Sequence, residues 1–410
     1  MPGDLERGRW KVGWAISRMP VLGAIRRRFE TERPFEGLTV SMVLHVEAKT
    51  AALALAIRAG GASTHLAAGN PLSTDDDAVA ALRAEGVDTH AVKGESVAEY
   101  RDGVQAMLDA DPDVIVDDGA DLVALVHTRR GDRGRIRGST EETTTGVTRL
   151  RALERSGKLL FPAIDVNDAA MKHLFDNRYG TGQSTVDGIL TATNLLIAGK
   201  VCVVAGYGWC GKGVAARLRG LGGDVVVTEI DPVRGLEARM DGFRVLPMLD
   251  AAAIADLIVT VTGSIGIVRA PHLRVLKDGC LLANAGHFDV EISRPDLEGL
   301  AVSRAVVRPH VEEYRFADGR RAYLLGDGRL VNLAAGQGHP VEIMDLSFAL
   351  QALSAEHLAR HGRSMAARVH AVPADLDLAV ARGALAPMGV RLDEPTEAQV
   401  KYAESWEGGT

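Results

Sequence analysis

Cysteine is scarce: Cys202, Cys210 and Cys280 are the three in 410 residues. Three scattered cysteines make neither a disulfide framework nor a structural zinc site, and they suit a reducing compartment such as the cytoplasm. No metal site is expected. Excess positive charge is also missing. Lys and Arg total 47 against 54 Asp and Glu, a net charge of −7. Nothing is left over to neutralise a polyanion, which excludes a dedicated nucleic-acid binder. No apolar run approaches the roughly 18 residues of a membrane span. Internal repeats and low-complexity tracts are absent, and 46% hydrophobic with 25% charged residues is the balance of a globular chain with a large core. Glycine is the one surplus, with 45 residues against an average usage of roughly 7%.

The order of elements points to an α/β protein. The basic stretch Trp10–Arg28 reads as one surface helix packed on the first domain. From residue 38 a strand–helix rhythm begins, with LTVSMVLH, ASTHLAA, VDTHAVK and DVIVDDG as strands and alanine-rich helices between them. Such alternation builds an open, mostly parallel sheet. A second unit opens with the helical DGILTATNLLIA, and three strand candidates, FRVLPM, LIVTVTG and CLLANAG, follow later in it. From VEIMDLSFALQALSAEHLA onward the chain returns to long helices. The expectation is two doubly wound domains. Residues 1–182 and 341–376 form the substrate-binding domain, 183–340 a Rossmann domain inserted into it, and 377–410 a short C-terminal segment.

Gly206, Gly208 and Gly211 form G-x-G-x-x-G after an apolar strand and at the start of a helix. In that setting the first glycine makes the tight turn, the second lets the backbone approach a pyrophosphate, and the third lets helix and strand pack closely. Glu229 ends the next strand at the position of an acid that binds the adenosine ribose. A carboxylate there repels a 2′-phosphate, so NAD is expected rather than NADP.

Polar clusters fall at the strand ends of the first unit, where open α/β sheets bind ligands. They are His45, NPLST at 70–74, DDGAD at 117–121, EETTTG at 141–146 and NDAAMKHLFDN at 167–177. Each alone reads as a cap, a turn or a solvated pair. Together they supply a lysine beside a carboxylate, further acids, a histidine and a threonine run around a nicotinamide site.

At these residues the chain resembles the S-adenosyl-L-homocysteine hydrolase family. DDGADL, EETTTGV, VNDAAMKHLFDNRYG, VAGYGWCGKG, VTEIDP, NAGHFDVEI, GRLVNLAAGQGHP and EIMDLSFALQ carry the likeness in order, over about residues 10 to 405. HVEAKTA, NPLST and YGTGQST resemble its short bacterial and archaeal branch. The resemblance implies reversible hydrolysis of the thioether to adenosine and homocysteine with NAD used catalytically. Oxidation at the ribose C3′ acidifies the C4′ proton, loss of that proton expels the 5′-thiolate, water adds at C5′, and the ketone is reduced again. It further implies a base at Lys172 tuned by Asp176, a group for the C4′ proton at Asp118, and holders of the ribose hydroxyls and lysine at Glu142 and Asn177, with Asn167 in the same shell. It implies proton handling near the 5′ position by His45, and a gate at His287 and Phe288. Contacts to the cofactor are implied at Thr143, Thr144, Thr145, Asn284 and Asn332. The substrate pocket is implied at Glu47, Lys49, Thr74, Asp75, His339, Met344 and Phe348. The partner is thus a small nucleoside or nucleoside thioether, and a homo-oligomer, tetramer or dimer, is the family's habit.

Several positions depart from the family pattern. Where better-known members carry Thr and Glu after the histidine, this chain has Glu47 and Lys49. A lysine only donates, so it cannot accept from the adenine 6-amino group, but it suits a 6-oxo purine. S-inosylhomocysteine is therefore an alternative substrate. Asp75, Gly326 and Gln337 also depart. They leave open a second alternative, dehydration of a nucleoside 5′-hydroxyl to a 4′,5′-unsaturated product in nucleoside natural-product biosynthesis. A long C-terminal tail reaching a neighbour's cofactor is missing, and Lys401 and Tyr402 do not clearly replace it.

Overall fold

The computed structural model describes residues 3–129 and 134–406. Its strands are β1 (Thr39–Leu44), β2 (Ser63–Ala68), β3 (Asp88–His90), β4 (Val114–Asp117), β5 (Gly138–Glu141), β6 (Ala163–Asp165), β7 (Val201–Ala205), β8 (Asp224–Thr228), β9 (Arg244–Val245), β10 (Leu257–Thr260), β11 (Cys280–Asn284), β12 (Ala301–Arg308), β13 (Val311–Phe316), β14 (Arg321–Leu325) and β15 (Val369–Ala371). They form a seven-stranded sheet, β15-β6-β5-β4-β1-β2-β3, and an eight-stranded sheet, β12-β13-β14-β11-β10-β7-β8-β9.

All pairings in the first sheet are parallel. Its central strands β1 and β4 are short, mostly apolar runs buried along nearly their whole length, as helix-covered parallel strands must be. Strand order reverses between β1 and β4, and this is where an open α/β sheet opens its ligand crevice. The second sheet repeats the device, reversing between β7 and β10. The glycine motif follows β7, and the helix Trp209–Gly220 begins within it.

Two expectations need correction. The basic stretch near the N-terminus is two helices, Leu5–Ser17 and Pro20–Glu32, not one. Proline tolerates a helix's first position but not its interior, so Pro20 opens the second helix. FRVLPM contributes only Arg244–Val245 as strand. The second sheet is mixed, because β12 pairs antiparallel with β13 and β13 with β14.

The helix Val341–His361 lies on the first sheet and buries Met344, Asp345, Ser347, Phe348 and Gln351. No helix among the described residues is long and apolar enough to cross a membrane, and all three cysteines are free.

Candidate active site

A cavity between the crevices of the two sheets is lined by His45, Glu47, Asp118, Glu142, Thr143, Thr144, Lys172, Asp176, Asn177, His287, Asn332, His339, Met344 and Phe348. Fourteen residues named from the sequence therefore share one wall. They come from the ends of β1, β4 and β5, from the segment after β6, from the loop after β11, from the segment after β14 that carries Asn332 and His339, and from the start of the long helix.

Local backbone geometry places the lysine. Residues His173–Gly180 form a π-helix, whose wider turn bonds i to i+5 and recurs at functional sites. Both the fourth and the fifth residue onward can then meet the Lys172 ammonium. Its Nζ donates to Asp176 Oδ1 at 2.7 Å and to Asn177 Oδ1 at 2.9 Å. Glu142 Oε1 stands 3.1 Å away. Asp176 accepts from Ser347 Oγ at 2.8 Å, and His339 Nδ1 lies 3.3 Å from it. Asn177 Nδ2 donates to Asn167 Oδ1 at 3.0 Å, which also accepts from Thr144 Oγ1 at 3.3 Å. Gln351 Nε2 donates to Glu142 Oε2.

Asp118 occupies the far end with the two histidines. His45 Nε2 is 3.5 Å from one carboxylate oxygen and His287 Nδ1 is 3.6 Å from the other. One ligand atom from each of the three lies within 4.8 Å of the others, a spacing that equally suits proton transfer among them. His45 Nδ1 shares a 2.7 Å hydrogen bond with Ser73 Oγ.

Burial sets the proton affinities here. It pushes both histidines down to about 4, so they are neutral near pH 7. It pushes Glu142 up to about 7 against the pull of Lys172, and it raises Asp118 despite His45. Burial alone would lower Lys172, but Asp176 and Glu142 outweigh it, and the ammonium is held more tightly than usual. The family resemblance implied a lysine tuned by Asp176 for base work. The structure tunes it upward, because two buried carboxylates surround a single ammonium. Asp176 stays ionised, since Lys172 and His339 overcome its burial.

Lys49, Thr74 and Asp75 face a neighbouring cleft, together with Glu47 and His339. Lys49 Nζ lies 2.6 Å from Glu47 Oε2 and donates to the Gln337 carbonyl at 2.7 Å. Glu47 thus borders both spaces while Lys49 stands behind it, where burial raises the Glu47 carboxyl against the pull of that lysine.

The glycine turn fits a dinucleotide. Gly206 has φ +104°, and a Cβ on Gly211 would sit 2.0 Å from the Gly206 carbonyl oxygen, while a Cβ on Gly208 would point into nearly open space. Glu229 accepts from the Tyr207 N–H at 2.7 Å and from the Ile230 and Asp231 N–H groups, so its carboxylate is fixed beside the turn. Asn332 donates to Ser184 at 3.1 Å, and its Oδ1 is buried without a partner, a vacancy that a carboxamide donor would satisfy. Thr145 does not line the cavity; its methyl group packs toward Gly263. Asn284 is engaged within the chain: its Nδ2 donates to the Gly286, Phe288 and Gly328 carbonyls, and its Oδ1 accepts from Thr260. It thereby shapes the loop that carries His287.

Sequence reasoning missed Ser347 and Gln351, although both lie in the EIMDLSFALQ motif. Their signal is spacing: they sit four apart on one helix, which puts both on one face. Cys210 and Thr181 also line the cavity unannounced.

Comparison with known proteins agrees with these features. A sequence model described as S-adenosyl-L-homocysteine hydrolase matches residues 3–136, and one described as S-adenosyl-L-homocysteine hydrolase, NAD binding domain, matches residues 177–338. An adenosylhomocysteinase of Pyrococcus abyssi is 56% identical over 404 residues, 98% of this chain and 96% of that one. An adenosylhomocysteinase of Aquifex aeolicus is 53% identical over 99% of this chain and 97% of that one. An S-inosyl-L-homocysteine hydrolase of Methanopyrus kandleri is 54% identical over 100% of this chain and 97% of its own length.

Proposed function

The chain belongs to the S-adenosyl-L-homocysteine hydrolase family, its cofactor is NAD, and from that premise we propose that it hydrolyses S-adenosyl-L-homocysteine reversibly to adenosine and homocysteine. The observation that carries this reading is the single cavity with two chemically different ends. Lys172, Asp176, Asn177 and Glu142 meet at one, and Asp118, His45 and His287 at the other.

When bound, NAD supplies the reversible hydride acceptor. Gly206, Gly208, Gly211 and Glu229 would hold its adenosine and pyrophosphate half, Thr143, Thr144, Thr145 and Asn332 would meet its nicotinamide side, and Asn284 would act through the loop it shapes. Lys172 is the group for the 3′-hydroxyl proton: its ammonium passes a proton to the neighbouring Glu142, pushed up to about 7, as it takes the hydroxyl's, and Asp176, fixed by Ser347, aims it. Asn177 and Glu142 orient the ribose hydroxyls. Asp118 takes the C4′ proton. Neutral His45 and His287 then handle protons on the departing thiolate and the entering water, a role that neutral imidazole suits. His339, Met344 and Phe348 close the purine end.

A second reading, S-inosyl-L-homocysteine as substrate, is favoured by the Glu47–Lys49 pair. Two of the three ammonium donors face Glu47 and Gln337, and a base that reaches the cavity edge at Glu47 would meet that carboxylate with the remaining Lys49 donor behind it. Hypoxanthine offers the complement on one edge, O6 as acceptor and N1–H as donor. Free thiol release from the two thioethers, compared as kcat/KM, tests both readings. Release from neither overturns the proposal, and a strong adenosyl preference removes the inosyl reading.

The division into a substrate-binding domain (1–182 and 341–376), an NAD domain (183–340) and a C-terminal segment (377–410) belongs to the same proposal, as does a homo-oligomer. Ile230, Val233, Leu236 and Met240 form an exposed apolar stripe of the kind that marks association surfaces. Light scattering on the purified protein tests the assembly.

A further inference from the structure

The acids in this site come in adjacent pairs, Asp117–Asp118 and Glu141–Glu142, and only the second member of each reaches the cavity. The first members end neighbouring strands in register, Asp117 beside Glu141 and Glu141 beside Asp165. They form a buried row beneath the cavity, and each accepts from backbone N–H groups of the turn above. Asp117 accepts from Asp118 at 3.1 Å and from Val123 at 2.9 Å. Asp165 accepts from Asp168 at 3.0 Å.

Glu141, at the centre, does more. A single oxygen, Oε1, accepts from the Gly119 N–H at 2.8 Å and from the Thr143 N–H at 3.0 Å. One N–H directly follows Asp118 and the other directly follows Glu142. The Glu141 backbone carbonyl accepts from Val166 at 3.1 Å and from Asn167 at 3.3 Å. This one residue thus touches the three segments that bring Asp118, Glu142 with Thr143, and Asn167 to the cavity. Gly146 makes room for it, since a Cβ there would lie 2.1 Å from the Glu141 carboxyl carbon.

We propose that Glu141 is a positioning residue for the reaction: its carboxyl oxygen ties the Asp118–Gly119 turn to the Glu142–Thr143 turn and so fixes Asp118 against the C4′ proton. Burial together with Asp117 and Asp118 raises its proton affinity above the usual carboxyl range. Glu142 has further supports in the Asp117 carbonyl and Gln351. Loss of the tie therefore falls mainly on Asp118.

The inference rests on the proposed reaction, and the test separates the two. Holoenzyme is mixed with nucleoside in deuterated water, and reduction of the bound cofactor is followed by absorbance while deuterium entry at C4′ is followed by NMR. Amide hydrogen exchange is measured across residues 117–121 and 141–146. In Glu141→Leu, cofactor reduction stays within about threefold of wild type and C4′ exchange slows on the order of 10²-fold, the loss typical of a small misplacement. Amide exchange rises in both segments. Glu141→Gln, whose carbonyl oxygen accepts the same two bonds, recovers most of the C4′ rate. An unchanged C4′ rate in Glu141→Leu overturns the inference. So does an equal loss of both steps that Glu141→Gln does not restore. A wild-type protein that neither reduces its cofactor nor exchanges C4′ overturns the proposed reaction instead, while the amide exchange still reports whether Glu141 ties the turns.

Discussion

Gln351 donates from Nε2 to Glu142 Oε2 at 2.5 Å, joining the long helix Val341–His361 to the end of β5. Two residues 209 positions apart thereby fix the carboxylate that stands beside Lys172. Replacing Gln351 by Leu leaves that oxygen buried without a donor, a cost of about 1–3 kcal/mol. Thiol release should fall by roughly tenfold, and urea unfolding should show the stability loss.

The lysine is the strongest single dependence. Lys172→Met removes the group for the 3′-hydroxyl proton and leaves the buried Asp176 with Ser347 and His339 but without its ammonium. kcat should fall by about 10² to 10⁴, the range of a lost acid–base group. Asp176→Asn should fall less steeply, because the ammonium keeps Asn177 and Glu142. Initial rates of thiol release across both variants test that order.

The two histidines make folding stability depend on pH. His287 has its pKa lowered to about 4 by burial, against about 6.5 when unfolded. The unfolded chain therefore binds more protons between these values, and the native state loses stability as pH falls from about 6.5 to about 4. Between pH 7 and pH 5 one such group contributes a loss of about 2 kcal/mol. His287→Phe should shrink the pH 7-to-5 difference in unfolding free energy by about that amount. An unchanged difference contradicts the neutral, buried imidazole.

The glycine turn predicts how the cofactor is retained. Gly211→Ala would place a methyl group 2.0 Å from the Gly206 carbonyl oxygen, forcing the turn apart where a pyrophosphate must approach. Purified Gly211→Ala should carry far less NAD per chain than wild type, as measured by acid extraction. Normal NAD content would mean that the turn yields without consequence.

Much of this site is legible in sequence because strand-end polar residues in a parallel sheet must converge on the switch point. His45 after β1 and Asp118 after β4 meet for that reason alone. The Lys172–Asp176 spacing reads equally as a solvated helix pair, and the π-helix that turns it inward leaves no mark in composition or periodicity. The acid doublets are visible, but their division of labour is not. Which member points up is decided by strand register, and Glu141 disappears beneath its neighbour. The antiparallel strands β12–β14 escaped because their outer strand is exposed along nearly its whole length and shows no apolar alternation. Lys49 was legible as a departure, but its contact with Gln337 joins segments 288 positions apart, a distance no local pattern spans.

The most direct measurement puts purified protein with S-adenosylhomocysteine and with S-inosylhomocysteine in separate deuterated reactions, free thiol and product nucleoside followed together. Thiol and nucleoside should appear in equal amounts from at least one thioether, with deuterium at C4′ of the product, and both signals should be lost in Lys172→Met. Absence of thiol from both thioethers, or thiol release with C4′ still carrying its original proton, would contradict the proposed reaction.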